Sequence, residues 1–280
     1  MAFGLWLERA EAEFLSGNFE RAEHLIQELL PRGVSKVDKA AVYNLKVSIH
    51  ILKSENQQAV DSALACLRLF GIDMPAHPSW DQVQLEYEMV WQTLAGRPIE
   101  GLIDLPLMAD PELQAAMQIF SVLTPPAYFT DFRLWCLQLC RMVKIGMQHG
   151  TGGASAHAYG YFGFILGPVF HRYRDAHRFA RLACDLVEKQ GFIACQAKVY
   201  YAVGTVAFWT QPIAAAIDFM RAGFRTATEM GDLAYACYCM FQTVRASSCG
   251  TIPSTRSGVS RRLRWALPGT PSTATMWTSW

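Results

Sequence analysis

LWLERAEAEFLSGNFERAEHLIQELLPRG, residues 5–33, decides the fold. Leu5, Trp6, Ala10 and Phe14 fall at the three- and four-residue steps of one helix face. After Gly17-Asn18 the same spacing returns in Phe19, Ala22, Leu25, Ile26, Leu29 and Leu30. Pro31-Arg32-Gly33 then stops the second helix. The stretch is a helix–turn–helix unit with one apolar face on each helix.

Its spacing resembles the tetratricopeptide pattern at Trp6, Ala10, Gly17, Phe19 and Ala22. Ala10 and Ala22 are small where paired helices cross closely, and Gly17 tolerates the turn conformation. Glu13 stands where the pattern wants an aromatic, and Phe14 comes one place late. The unit recurs. Residues 35–53 and 57–70 read as a second pair, with Ala59 standing 37 positions after Ala22. Tyr173-Arg174-Asp175-Ala176 opens a helix to about Lys189, and Ala214, 38 positions after Ala176, falls in the helix that follows Gln211-Pro212. Helical solenoids repeat at such periods. Helices are also expected near 79–95, 111–123, 130–149 and 154–170, with prolines 75, 78, 98, 106, 111, 125 and 126 at the joints. No alternating run suggests a strand. The expected architecture is all-α, a tetratricopeptide-like right-handed superhelix of antiparallel helix pairs over residues 1–244.

Charge and cysteine usage narrow the classes. The formal net charge is +1, but five arginines (245, 256, 261, 262 and 264) follow the last acidic residue, Asp232; without them the balance is about −4. Such a body offers nucleic acid no basic face. Cys66, Cys136, Cys140, Cys184, Cys195, Cys237, Cys239 and Cys249 follow no paired spacing, so they read as reduced core thiols of a cytoplasmic protein. Glu8 interrupts the N-terminal apolar stretch before a signal peptide could form. Ala154 to Phe170 is nearly uncharged but short and glycine-rich, and it reads as a buried helix rather than a membrane span.

No motif carries catalysis. A phosphate cradle is missing: Gly150-Thr151-Gly152-Gly153 lacks a lysine and joins two helices. The protein-kinase set is missing too, as is the dimerisation helix of a phospho-accepting histidine. Cys136 with Cys140, Cys237 with Cys239, and His171 with His177 supply no four convergent metal ligands. Ser155 and His157 lack a nucleophile elbow, so His157 reads as a packing histidine. Glu86, Glu88, Glu100 and Asp104 read as solvated faces. Tyr159, Tyr161, Phe162, Phe164 and Phe170 read as core, with a ligand pocket the sharper alternative. No residue is assigned a catalytic, cofactor or metal role, and no cofactor is expected.

From Ala63 onward the chain resembles the helical region that follows the ATPase module in large bacterial hybrid kinases. Those proteins join a serine/threonine-kinase-like domain, an AAA-type ATPase, this helical region, a GAF domain and a histidine kinase. The likeness is carried by Leu69-Phe70-Gly71-Ile72, Pro75, Pro78-Ser79-Trp80 and Gly96-Arg97-Pro98-Ile99-Glu100. It continues through Leu105-Pro106, Met108, Asp110-Pro111, Pro126-Ala127-Tyr128 and the helix to Gly150. Ser155 to Gly167, Leu186-Val187-Glu188 and Gly231-Asp232-Leu233 complete it. Thr130-Asp131-Phe132 departs where the family carries an Asn-Pro step. The resemblance implies a docking or relay segment between catalytic modules, with protein partners, no nucleic acid and no membrane insertion. The alternative is the inducer-sensing helical region of an ATP-dependent transcription regulator.

Residues 245–280 hold no Lys, Asp or Glu and are rich in Arg, Ser, Thr, Pro and Trp, unlike the body. Codons can be chosen for Val259 to Trp280 so that a shifted frame reads as a helix-like peptide resembling the family's next helix. A frameshifted or disordered tail is therefore expected, leaving the last body helix uncapped and prone to self-association.

Overall fold

The computed structural model describes residues 2–250. Among them the chain forms twelve α-helices. These are α1 Ala2–Leu15, α2 Phe19–Leu29, α3 Lys36–Leu52, α4 Asn56–Leu69, α5 Trp80–Leu94 and α6 Pro111–Thr130. They continue as α7 Phe132–His149, α8 Gly153–Leu166, α9 Tyr173–Gln190, α10 Ile193–Thr210, α11 Ile213–Glu229 and α12 Leu233–Gly250. Short 3₁₀ turns lie at Leu30–Arg32 and Ile99–Asp104. The β pairing seen among the described residues is one bridge between Leu107 and Thr151. The all-helical class is as expected.

Among the described residues two compact units divide the chain, one up to Ala158 and one from Tyr159 on, with the break inside α8. The first begins with the α1–α2 pair. Ala10 and Ala22 are fully buried and share a core with Leu25, Ile26, Leu29, Val42, Leu45 and Ile49, flanked by Trp6, Phe14 and Phe19. Gly17 takes a positive φ of 80°, and the Asn18 amide donates to Glu13 O at 2.9 Å, closing α1 as a left-handed C-terminal turn does. Glu13, the departure from the repeat pattern, has polar work: its carboxylate accepts from Asn18 Nδ2 at 2.8 Å and pairs with Arg21 at 3.0 Å. Capping boxes start α3 at Ser35 with Asp38 and α5 at Ser79 with Gln82.

Packing in this unit departs from simple successive pairs. Helices α1/α2 and α3/α4 pair as expected, but α6 lies on α3 and α4, and α5 lies on α7. The cause is α6 itself. Pro125 and Pro126 were expected to end a helix near 123, yet α6 runs through them to Thr130. An interior proline costs a backbone bond. Here Leu123, Thr124, Pro126 and Ala127 are all buried, and that burial outweighs the local cost.

In the second unit α9 packs on α10, α10 on α11, and α11 on α12, with α10 also touching α12. Small residues set the approach. A Cβ on Gly163 would meet Ala176 O at 2.8 Å, and one on Gly160 would meet Ala202 Cβ at 3.2 Å. A Cβ on Gly223 of α11 would meet Cys239 Sγ of α12 at 2.8 Å. Ala176, and Ala59 in the first unit, are fully buried. Ala214 is not: it is exposed, and Ala216 takes the buried place, 40 positions after Ala176. The helix that periodicity left unnamed, α10, is apolar nearly all round, so no stripe marks it. α12 continues six residues past the expected end at Val244, and residues 251–280 with their expected frameshift lie outside the described residues.

Replacing Ala22 or Ala176 by Leu should overpack these crossings and lower stability by roughly 1–3 kcal/mol. Chemical denaturation of each variant checks this, and an unchanged midpoint for both would contradict the close-crossing assignment.

Candidate functional site: an aromatic corner at the α6–α7 junction

Three helix ends meet in the first unit: the start of α5, the end of α6 and the start of α7. Trp80 is the first residue of α5, held by the Ser79 capping box. Tyr128 and Phe129 close α6, and Phe132 opens α7. Ring centroids link them, Trp80 to Phe132 at 6.4 Å, Tyr128 to Phe129 at 5.3 Å and Tyr128 to Phe132 at 6.3 Å. Trp135, fully buried beneath, contacts Tyr128 at 5.2 Å and Phe132 at 5.3 Å. Phe129 is 61% exposed and Trp80 42%. The rings thus run continuously from core to surface.

Asp131 holds the corner in shape. Its carboxylate caps α7 through the Arg133 amide at 2.9 Å, pairs with the Arg133 guanidinium at 3.1 Å, and meets His77 Nδ1 at 3.0 Å. Burial alone would raise its pKa, but the hydrogen bonds from Arg133 and His77 outweigh this and hold it below the usual carboxylate value. The folded corner is therefore stabilised by this carboxylate above the usual carboxylate pKa, and loses that contribution as pH falls through the lowered one. Thr130-Asp131-Phe132 is the centre of the feature. Trp80 and Tyr128 lie far apart in the chain, so no local spacing in the sequence joins them.

The other expected site residues have plainer places. Glu86 is not on a solvated face: it is buried, paired with Arg141 Nε at 3.3 Å and with Lys144. Arg141 also donates to Asp73 O at 2.7 Å, tying α7 to the segment before α5. Periodicity missed this because the compensating cations lie on α7. Glu88, Glu100 and Asp104 are exposed, as expected. His157 is fully buried and bonds Ser121 rather than its neighbour Ser155, with Nδ1 to Oγ at 2.8 Å. Ser121 and Thr124 share a face of α6, and Thr124 accepts from Gln138 of α7 at 3.2 Å, so a polar seam runs through this core.

The Gly150 loop is a clasp. Gly150 has φ of 102°, a Cβ there would meet Pro106 O at 2.6 Å, and Thr151 N donates to that same oxygen at 2.8 Å. In the second unit Tyr159 and Phe162 are buried against Phe179, with centroids at 6.0 and 5.0 Å. Tyr161 shares a 2.9 Å hydroxyl bond with Tyr235, and burial pushes both phenols well up. Lys198 lies 5.8 Å from the Tyr235 ring; burial lowers its pKa, opposed by Asp232.

Burial pushes the thiols of Cys66, Cys184 and Cys239 up to about 12 and that of Cys195 to about 11, so they stay protonated. Cys237 departs from the expected buried set and is exposed. His177 Nδ1 meets Gln211 Nε2 at 3.2 Å, while His171 is exposed at the turn before α9. The described residues hold one group of three side chains close enough for a metal ion, Glu23, His50 and Glu55.

No family model matches the chain, and no solved structure matches it. The chain is similar to the hybrid signal transduction histidine kinase G of Dictyostelium discoideum, 20% identical over 259 residues. That alignment covers 85% of this chain, and the chain spans about 8% of the length of that relative. Among the described residues, no helix is long and apolar enough to cross a membrane.

Removing the Glu86 carboxylate leaves two cations against a buried site. Glu86→Ala should cost roughly 3–5 kcal/mol in a denaturation experiment, far more than Glu88→Ala on the exposed face. Equal effects of the two would show that the triad carries no such weight.

Proposed function

We propose that this chain is a non-catalytic docking segment of a larger signalling protein. The observation that carries the reading is the distant likeness to a hybrid signal transduction histidine kinase, which runs along 85% of the chain. The aromatic corner supports it. Exposed Trp80 and Phe129, with half-buried Tyr128 and Phe132 behind them and Arg133 alongside, make the composition of protein-binding hot spots, where large rings bury much area at small entropic cost. The His77 side chain is 65% exposed and that of Arg133 41%, and both are already oriented by Asp131, so the corner favours a partner that presents apolar side chains next to a carboxylate. The partner is a neighbouring kinase or ATPase module of the same protein or assembly, the compartment is cytoplasmic, and the finer architecture is a tetratricopeptide-like superhelix. Catalysis is assigned to those modules and not to this segment.

Binding of the purified chain to the kinase module of such a protein tests the reading by titration calorimetry. Wild-type chain should bind in the micromolar range, and Trp80→Ala with Phe129→Ser should weaken binding at least roughly ten-fold with helicity unchanged. The chain alone should neither bind nor hydrolyse ATP. Unaltered binding by the double variant, or ATP turnover lost on a single substitution within 1–244, would contradict the proposal.

A second surface belongs to the same reading. On α12, Tyr235, Ala236, Cys239 and Ala246 are buried, whereas Leu233, Cys237, Met240, Phe241 and Val244 form an exposed stripe at helical spacing. This stripe is the basis for expecting self-association. Light scattering should show concentration-dependent association of the chain that Met240→Glu with Phe241→Glu removes; a monomer at all concentrations would rule it out.

A further inference from the structure

A separate cluster joins α2 to the α3–α4 turn. His50 sits in the last turn of α3, Lys53 is its C-cap, Glu55 is the N-cap of α4, and Glu23 reaches across from α2. The His50 Nδ1 atom lies 2.7 Å from Glu55 Oε2. Lys53 Nζ lies 2.8 Å from Glu23 Oε1 and 3.6 Å from Glu55 Oε1. One ligand atom from each of Glu23, His50 and Glu55 falls within 4.8 Å of the other two. All four side chains are partly buried at the rim of the helix pair, open enough for an ion to reach.

We propose that Glu23, His50 and Glu55 form a site for a divalent transition metal of the zinc class, with Lys53 as the resident cation that the metal displaces. The donor set is one imidazole nitrogen and two carboxylate oxygens, which leaves a fourth position for water. Imidazole selects zinc, nickel or copper over magnesium and calcium. Zinc holds such donors at about 2.0–2.2 Å, which brings them roughly 3.3 Å apart in a tetrahedron. Side-chain rotation from the present spacing closes that gap, since the three residues already converge from three elements.

Charge favours a cation here. Two carboxylates, Glu23 and Glu55, face the single Lys53 ammonium. Lys53 sits on a flexible stem and is about one-third exposed, so its head can swing into water while an ion takes its place. The metal would then bridge α2 to α3 and α4. Lys53 performs that bridging without metal.

The test is zinc titration of the full chain under reducing conditions, by calorimetry and thermal melting. Background sites such as the exposed Cys237 are separated by comparing variants. Wild-type chain should bind one equivalent of Zn²⁺ that raises the melting temperature, and His50→Ala or Glu23→Gln should weaken that equivalent roughly ten-fold or more. Lys53→Met should bind zinc more tightly than wild type, because the competing ammonium is gone. This opposite sign separates a metal site from a merely structural cluster. Magnesium should not compete. Zinc affinity and stoichiometry unchanged by His50→Ala, or weakened by Lys53→Met, would overturn the proposal.

Discussion

Close approach of helices at small side chains is the constraint on which this structure depends. Where Gly163 faces the Ala176 carbonyl, or Gly223 faces Cys239, a single added carbon meets an atom at 2.8 Å. Helices that approach so closely bury large neighbours around the crossing and leave little room for rearrangement. The same condition appears at Ala10 and Ala22 in the first unit. Because the crossings are held by the absence of side chain, they contribute no polar groups. Chemistry is therefore pushed to helix ends and exposed edges. The aromatic corner and the Glu23–His50–Glu55 cluster both sit at such ends.

Much of the fold was legible because burial writes a period into sequence. Residues 5–33 show both stripes, both small crossing positions and the glycine turn. What stayed hidden has identifiable causes. α10 is buried on nearly all sides, so it has no stripe to read. α6 passes through Pro125-Pro126 because packing of its second half exceeds the cost of two missing amides. Ala214 looked like a crossing residue by count, yet the turn at Gln211-Pro212 shifts the register, and Ala216 is the one buried. A period fixes spacing only while the connecting loops keep constant length.

The candidate site was far less legible, and for a different reason. Trp80, Tyr128 and Phe132 meet across three helix ends, and no local pattern joins residues so distant in the chain. Glu86 shows the same limit. Its own helix gives it a solvent-like place, while its two cations come from α7. Local periodicity describes what each helix wants to bury. It says nothing of which partner will compensate a charge or extend an aromatic ladder.

The central claim is that the corner built by Trp80, Tyr128, Phe129 and Phe132 is where this helical segment meets a signalling partner. Hydrogen exchange measured with and without a kinase module of the likeness partner's type tests it most directly. The account predicts slowed exchange confined to the start of α5, residues 77–83, and the α6–α7 junction, residues 127–135, with the rest of the first unit unchanged. Protection elsewhere with none at this junction would contradict it.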